Sequence, residues 1–106
     1  MSIRHIVLFK FRSGVTWADP RVAEAARMSK SHGQHIDEIQ EWWAGPDVYR
    51  RDNSYDFAVM GLFADHDALS RYQAHPHHQK GTVLWRELAT WIVLDLDEER
   101  ARQETS

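Results

Sequence analysis

Three segments of this chain read as β-strands that are apolar on both faces at their centres, and this limits the architecture more than any other feature. From Ile3 to Arg12, residues Ile3, His5, Val7, Phe9 and Phe11 share one face, while Ile6 and Leu8 occupy the other between Arg4, Lys10 and Arg12. Tyr55 to Phe63 sets Tyr55, Phe57, Val59, Gly61 and Phe63 against Ala58, Met60 and Leu62, and Ala89 to Asp97 sets Trp91 and Val93 against Ile92, Leu94 and Leu96. Successive strand side chains point to opposite sides of a sheet. A sheet of such strands must be covered on both faces. A further strand is read from Ile39 to Ala44, ending at Gly45-Pro46, and its adjacent Trp42 and Trp43 must point to opposite faces.

Helical signals separate these strands. Thr16 or Asp19 can cap a helix with Pro20 in its first turn, running to Ser31 or slightly beyond with Gly33 as the stop. Asp65 caps a short helix through Asp67, Ala68, Leu69 and Tyr72, which the His75-Pro76 step interrupts because proline disfavours helical geometry in the residue before it. A second helical piece, about His77 to Leu88, carries Val83, Leu84 and Leu88. The order is β-α-β-β-α-β, which predicts an α+β, ferredoxin-like domain over residues 1–97 followed by a charged tail, 98–106, frayed or extended past the core. Two helices can cover only one face of a four-stranded sheet. Ile6, Leu8, Ala58, Met60, Leu62, Ile92, Leu94 and Leu96 are left on the open side, and at roughly 50 to 100 Å² each they make a patch of interface size. A homodimer packed sheet on sheet, a dimeric α+β barrel, is the expected solution.

Composition narrows the function classes. With 106 residues there is room for one core, and 42% hydrophobic residues with 27% charged ones suffice to build it. A net charge of -3 and a pI near 6.1 provide no general attraction to nucleic acid or anionic lipid, and the apolar stretches fall short of a membrane span. There is no cysteine for disulfides or thiolate metal sites, and Ser2-Ile3-Arg4-His5 is strand-like rather than a secretory apolar region. The expected setting is cytoplasmic.

The string Ile3-Arg4-His5-Ile6-Val7-Leu8-Phe9-Lys10-Phe11, the segment Ser54-Tyr55-Asp56-Phe57-Ala58, and Tyr72-Gln73-Ala74-His75-Pro76-His77-His78 together resemble the stress-responsive dimeric α/β-barrel family over nearly the whole chain. The Tyr-x-x-His-Pro-x-His string and the first-strand His are its most specific parts, since strand and helix periodicity require neither. The resemblance extends to a plant polyketide cyclase of that family, and it implies Tyr72 and His78 acting on a β-polyketide with His5 as a pocket histidine. A further strand-three His of that cyclase is absent here, where Asp56-Phe57 stand. The first helix offers Ala23, Ala25, Ala26, Arg27 and Met28 in place of aromatic pocket residues.

On residue chemistry alone, a buried His5 is expected to be neutral, His78 can act as a general base, and Tyr72 can hydrogen-bond a developing enolate. Val7, Phe9, Val59, Trp91 and Val93 share the His5 face and are the expected substrate-binding lining, although the same residues would also make an ordinary core. The expected reaction is cofactor-free proton transfer, as in aldol-type cyclisation of a polyketide-like or other small apolar carbonyl compound, and it depends on a cavity of roughly 300 Å³ or more touching both His5 and His78, without which the enzymatic reading fails. The alternatives are a non-catalytic stress-responsive or small-molecule-binding dimer and, by analogy of fold only, a ferredoxin-like monooxygenase. His32 and His35 at i, i+3 and the cluster His75, His77 and His78 raise a metal site, but no carboxylate or cysteine completes a recognised spacing and no metal is expected. Trp17, Trp42, Trp43, Trp85 and Trp91 are expected as core and interface aromatics, and the Asp47 to Asn53 loop, with Arg50 and Arg51, as a solvated turn or a pocket gate.

Overall fold

A computed structural model describes residues 1–103. Eight elements follow one another: β1 (Ile3–Phe11), α1 (Pro20–His35), β2 (Glu41–Pro46), β3 (Phe57–Phe63), α2 (His66–Ala74), α3 (Pro76–Arg86), β4 (Ala89–Asp97) and a single-turn α4 (Glu98–Ala101). The four strands form one antiparallel sheet in the order β2-β3-β1-β4. This is the α+β, ferredoxin-like split βαβ arrangement, with the parallel pair β1 and β2 separated by β3. Among the described residues no helix is long and apolar enough to cross a membrane.

α1, α2 and α3 cover one face of the sheet. Asp19 caps α1 by accepting the Arg21 amide at 2.9 Å, with Pro20 in the first turn, where its missing N–H costs nothing. The inward residues form two buried clusters. Val7, Phe9, Val22, Ala25, Phe57, Val59, Trp85 and Leu88 belong to the larger, and Ile3, Ile36, Phe63, Ala68, Leu69 and Tyr72 to the smaller. The other face is open. Ile92 and Leu94 are 52% and 55% exposed there, beside half-buried Ile6, Leu8, Ala58, Met60, Leu62 and Leu96 and a 61% exposed Trp43.

Several boundaries differ from the sequence reading, each for a tertiary reason. Gly33 does not stop α1, which continues to His35; a Cβ at Gly33 would stand 2.8 Å from the Trp42 Cβ, so the glycine lets β2 pass close to the helix. β2 begins at Glu41 rather than Ile39, because Ile39 belongs to the turn leaving α1, its amide bonding the Ile36 carbonyl. Tyr55 lies outside β3, which starts at Phe57; the Asp56 amide bonds the Phe9 carbonyl and its carboxylate accepts from the Phe11 amide instead. α3 ends at Arg86, and its buried stripe is Gly81 and Trp85 rather than Val83, which is largely exposed.

The segment after β4 is anchored over its first turn. Glu98 is buried against Arg4, which donates from Nε and Nη2 to its two carboxylate oxygens at 2.9 and 2.7 Å, and Arg102 adds a third bond at 2.6 Å. These cations hold the Glu98 carboxyl down to about 2. The frayed tail expected from 98 onward is therefore helical at its start, and residues 104–106 of that expectation lie outside the described residues.

Candidate active site

Between the two clusters of the core the packing is incomplete, leaving a cavity of about 200 Å³ between sheet and helices. His5, Val7, Phe9, Val59, Tyr72, His78, Trp91 and Val93 all lie on its wall, together with Ser29, His32, Gln73, Gly81, Thr82 and Trp85. The eight residues singled out from the sequence are thus brought to one place. At about 200 Å³ the cavity falls short of the roughly 300 Å³ on which the enzymatic reading depends, and this weighs toward binding without turnover. Val93, on the edge strand β4, lines the cavity and is 51% exposed.

His5 is 3% exposed, in the middle of β1. Antiparallel pairing sets it opposite Asp95, and its Nδ1 lies 2.6 Å from the Asp95 Oδ1. A carboxylate can only accept, so Nδ1 carries the hydrogen and Nε2 is the free nitrogen. The ring meets Phe63 and Tyr72 edge-on, with centroids 6.1 and 5.7 Å away.

The Tyr72-to-His78 string is a helix junction whose geometry aims one side chain. His75 precedes proline and is extended, with φ -65° and ψ 136°; it ends α2 and caps α3, its Nδ1 accepting the His77 amide at 3.0 Å. Pro76 starts α3. The chain direction changes there, so that His78, in the first turn of α3, lies back over the end of α2 and donates from Nδ1 to the Gln73 carbonyl at 3.0 Å. Its Nε2 is therefore the basic atom. Burial, the nearby His5 and His75 outweigh the Gln73 carbonyl and push His78 below its ordinary value, which keeps the ring neutral at pH 7. The Tyr72 ring lies 4.5 Å from the His78 ring, between centroids, and burial raises the phenol well above its usual range, so that it remains a hydrogen-bond donor.

Three residues that the sequence did not assign to the site matter to its hydrogen bonding: Ser29 and His32 on the wall, and Asp95 bonded to His5. Ser29 is a buried hub of α1: its Oγ accepts the Trp85 indole N–H at 2.8 Å and its carbonyl accepts that of Trp42 at 2.9 Å. His32, one turn further along α1, is buried, and burial together with His77, His78, His35 and His75 pushes it down to about 3. Its Nδ1 lies 2.7 Å from the His77 Nδ1. Asp95 is the third. Its parity with Trp91 and Val93 was legible in the sequence, but its pairing with His5 required the β1–β4 register. Among the described residues no three His, Asp or Glu side chains converge as a metal site would require. The loop cations Arg50 and Arg51 line a separate polar recess with Lys10 and Trp17, away from this cavity.

Comparison with known proteins agrees with the architecture. An uncharacterized protein of Streptomyces coelicolor is 41% identical over 95 residues, spanning 90% of this chain and 98% of the other. A dimeric ferredoxin-like protein of unknown function from Thermobifida fusca superimposes with a TM-score of 0.79 at 26% identity, covering 91% of this chain and 90% of that one. A hydroxynitrile lyase from Passiflora edulis does so with a TM-score of 0.72 at 16% identity, covering 90% and 91%, which is a likeness of fold alone. Residues 3–98 match the family model of the stress responsive A/B barrel domain. With that match over nearly its whole length, the chain belongs to the stress responsive A/B barrel (Dabb) family.

Proposed function

We propose that this protein is a homodimeric, cofactor-independent enzyme of the cyclase or lyase type, abstracting a proton next to a carbonyl of a short polyketide-like substrate with His78 as base. One observation carries the reading: a neutral His78 has its Nδ1–H committed to the Gln73 carbonyl, leaving Nε2 basic, and its ring lies 4.5 Å from that of the protonated, buried Tyr72 on the wall of an otherwise mainly apolar cavity. In the first step the substrate C–H bond breaks toward His78 Nε2, and the electron pair moves onto the carbonyl oxygen. Tyr72 donates to that oxygen, a role typical of oxyanion stabilisation. His5, oriented by Asp95, presents Nε2 as an acceptor for a hydroxyl or enol O–H of the substrate. Attack of the enolate carbon on a second carbonyl of the same molecule closes a ring and leaves an alkoxide to be protonated, while His78 Nε2 holds the proton taken from carbon and must give it up before the next turnover.

The cavity volume restricts the substrate. An apolar cavity of about 150 Å³ takes up benzene, so about 200 Å³ suits one ring-sized body with short substituents. The open face with Trp43, Ile92 and Leu94, together with the Thermobifida relative described as dimeric, supports pairing through the sheet. The Passiflora lyase is a precedent for enzymatic use of the fold and for nothing narrower.

Phenylacetone, whose benzylic protons exchange slowly in neutral water, is a suitable probe. Deuterium incorporation followed by NMR should be accelerated by the wild-type protein and fall about a hundredfold in both H78Q and Y72F, with unchanged circular dichroism. Wild-type rates in H78Q would remove the base from His78. A cavity below 300 Å³ also favours a second reading, binding without turnover. It predicts that phenylacetone perturbs the fluorescence of Trp85 and Trp91 on the cavity wall while exchange stays at the background rate.

A further inference from the structure

Five of the seven histidines gather where α1 packs on α3, and only His78 has a part in the proton abstraction proposed above. The other four are not equivalent. His75 is used up as the cap of α3. His35 is exposed, donates from Nδ1 to the Ser31 carbonyl at 2.9 Å, and stacks flat on His77 with centroids 4.3 Å apart and planes 8° from parallel. His77 is half-buried, so it meets solvent on one side and His32 on the other. His32 is buried, yet it lies on the cavity wall.

The link between these two is direct. The His32 and His77 Nδ1 atoms lie 2.7 Å apart, a hydrogen bond in which one of the two nitrogens must carry the hydrogen. With Nδ1 so occupied, the only other polar atom of the His32 ring is Nε2. That atom faces α3 at Gly81, where a Cβ would stand 2.9 Å from it; the missing side chain leaves room there, and Gly81 is itself part of the cavity wall. The His32 ring centroid lies 5.8 Å from that of His78 and 6.4 Å from that of Tyr72.

From this geometry we infer that His77 and His32 form a proton inlet, carrying a proton from solvent through the α1–α3 interface to an alkoxide forming in the cavity. The inference rests on the aldol-type reading above and gives the alkoxide a donor other than His78, which holds the proton taken from carbon. In the loaded state His32 holds a hydrogen on Nε2 and accepts at Nδ1 from the His77 Nδ1–H. The alkoxide O–H bond forms as the His32 Nε2–H bond breaks. The hydrogen between the rings passes from the His77 Nδ1 to the His32 Nδ1, and solvent protonates the His77 Nε2. Both rings begin and end neutral with exchanged tautomers, and one proton has passed from water to the alkoxide; the proton on His78 Nε2 then moves to the His32 Nε2, the hydrogen between the rings returns to the His77 Nδ1 and the His77 Nε2 releases its proton to solvent, which resets all three histidines. Neutral rings are required, since an imidazolium cannot accept. Burial and the neighbouring histidines push both rings below their ordinary value, His32 to about 3.

The reverse reaction tests the inlet. Retro-aldol cleavage of 4-hydroxy-4-phenylbutan-2-one releases benzaldehyde, seen by its ultraviolet absorbance, and must expel the hydroxyl proton along the same path. H77A should slow cleavage about tenfold, less than a whole general acid–base residue is worth because water partly replaces it, and imidazole added to the buffer should restore the rate. G81A, which closes the cavity side of His32, should slow cleavage without such rescue. Wild-type cleavage rates in H77A, failure of imidazole to restore them, or no cleavage by the wild-type protein would overturn the inlet. Nitrogen-15 spectra of the wild-type rings give a check independent of any variant: one of the two Nδ1 atoms must carry hydrogen, and finding both bare refutes the pairing. Phenylacetone exchange in H78Q judges the parent reading separately, because that exchange forms no alkoxide.

Discussion

Two histidines of the cavity wall, His5 and His78, are set by different means. His5 is held by a carboxylate across a strand pair, and His78 by a backbone carbonyl across a helix junction. Each partner fixes which ring nitrogen carries hydrogen, and therefore which one can act on a ligand. His32 makes a statement about stability as well. Native His32 stays neutral down to about 3, whereas the unfolded chain protonates it near the ordinary histidine value of about 6.5. Below that value the unfolded state binds more protons than the native state, so stability falls as the pH drops from about 6.5 toward 3. His78 and His77, also pushed down, add to the loss in the upper part of that range. Melting temperatures measured from pH 7 to pH 4 should decline less steeply in H32Q than in the wild type; parallel declines would show that His32 is not kept neutral. Of these residues, His5, Tyr72 and His78 were legible in the sequence from a distinctive string and from strand parity. Asp95 and His32 were not, because a hydrogen-bond partner 90 residues away or on another helix leaves no local pattern.

At the level of elements, the junction between α2 and α3 determines the direction of the base. The proline was enough to predict a break, since it excludes helical geometry at His75. It did not reveal that the His75 side chain would cap the new helix, a role more often filled by serine, threonine, aspartate or asparagine. H75A should cost about 1 kcal/mol in denaturant unfolding, the usual loss for a cap. It should also weaken the His78–Gln73 contact, seen as a change in the His78 ring nitrogen shifts. A stability equal to wild type would mean the imidazole is not capping α3. Gly33 shows the opposite limit of local reading. A glycine near the end of a helical pattern resembles a stop signal, yet here it sits inside α1 because Trp42 crosses against it.

The described residues form a two-layer slab about 18 Å thick in its smallest dimension, with α1, α2 and α3 on one side of the sheet. Its open face combines Trp43, Ile92 and Leu94 with half-buried aliphatic side chains, bounded at one end by the Arg4, Glu41 and Glu98 ion network. Pairing of that face with a second copy leaves the cavity, on the helix side, within each subunit. L94E should convert a dimer to a monomer in sedimentation at micromolar concentration while the fold persists, since the side chain is half-exposed in a single chain. A wild-type protein that sediments as a monomer would refute sheet-on-sheet pairing.

What the sequence alone determined was what repeats locally. Strand alternation placed His5, Val7, Val59, Trp91 and Val93 on one face and the aliphatic patch on the other, and the count of helices showed that one face lacked a cover. Tertiary structure decided the cavity's volume, the partners of its histidines and the ordering of the first turn after β4. Those depend on strand register and on how closely α1 approaches β2 and α3, distances set by side chains far apart in the chain and therefore absent from any period of two or 3.6 residues.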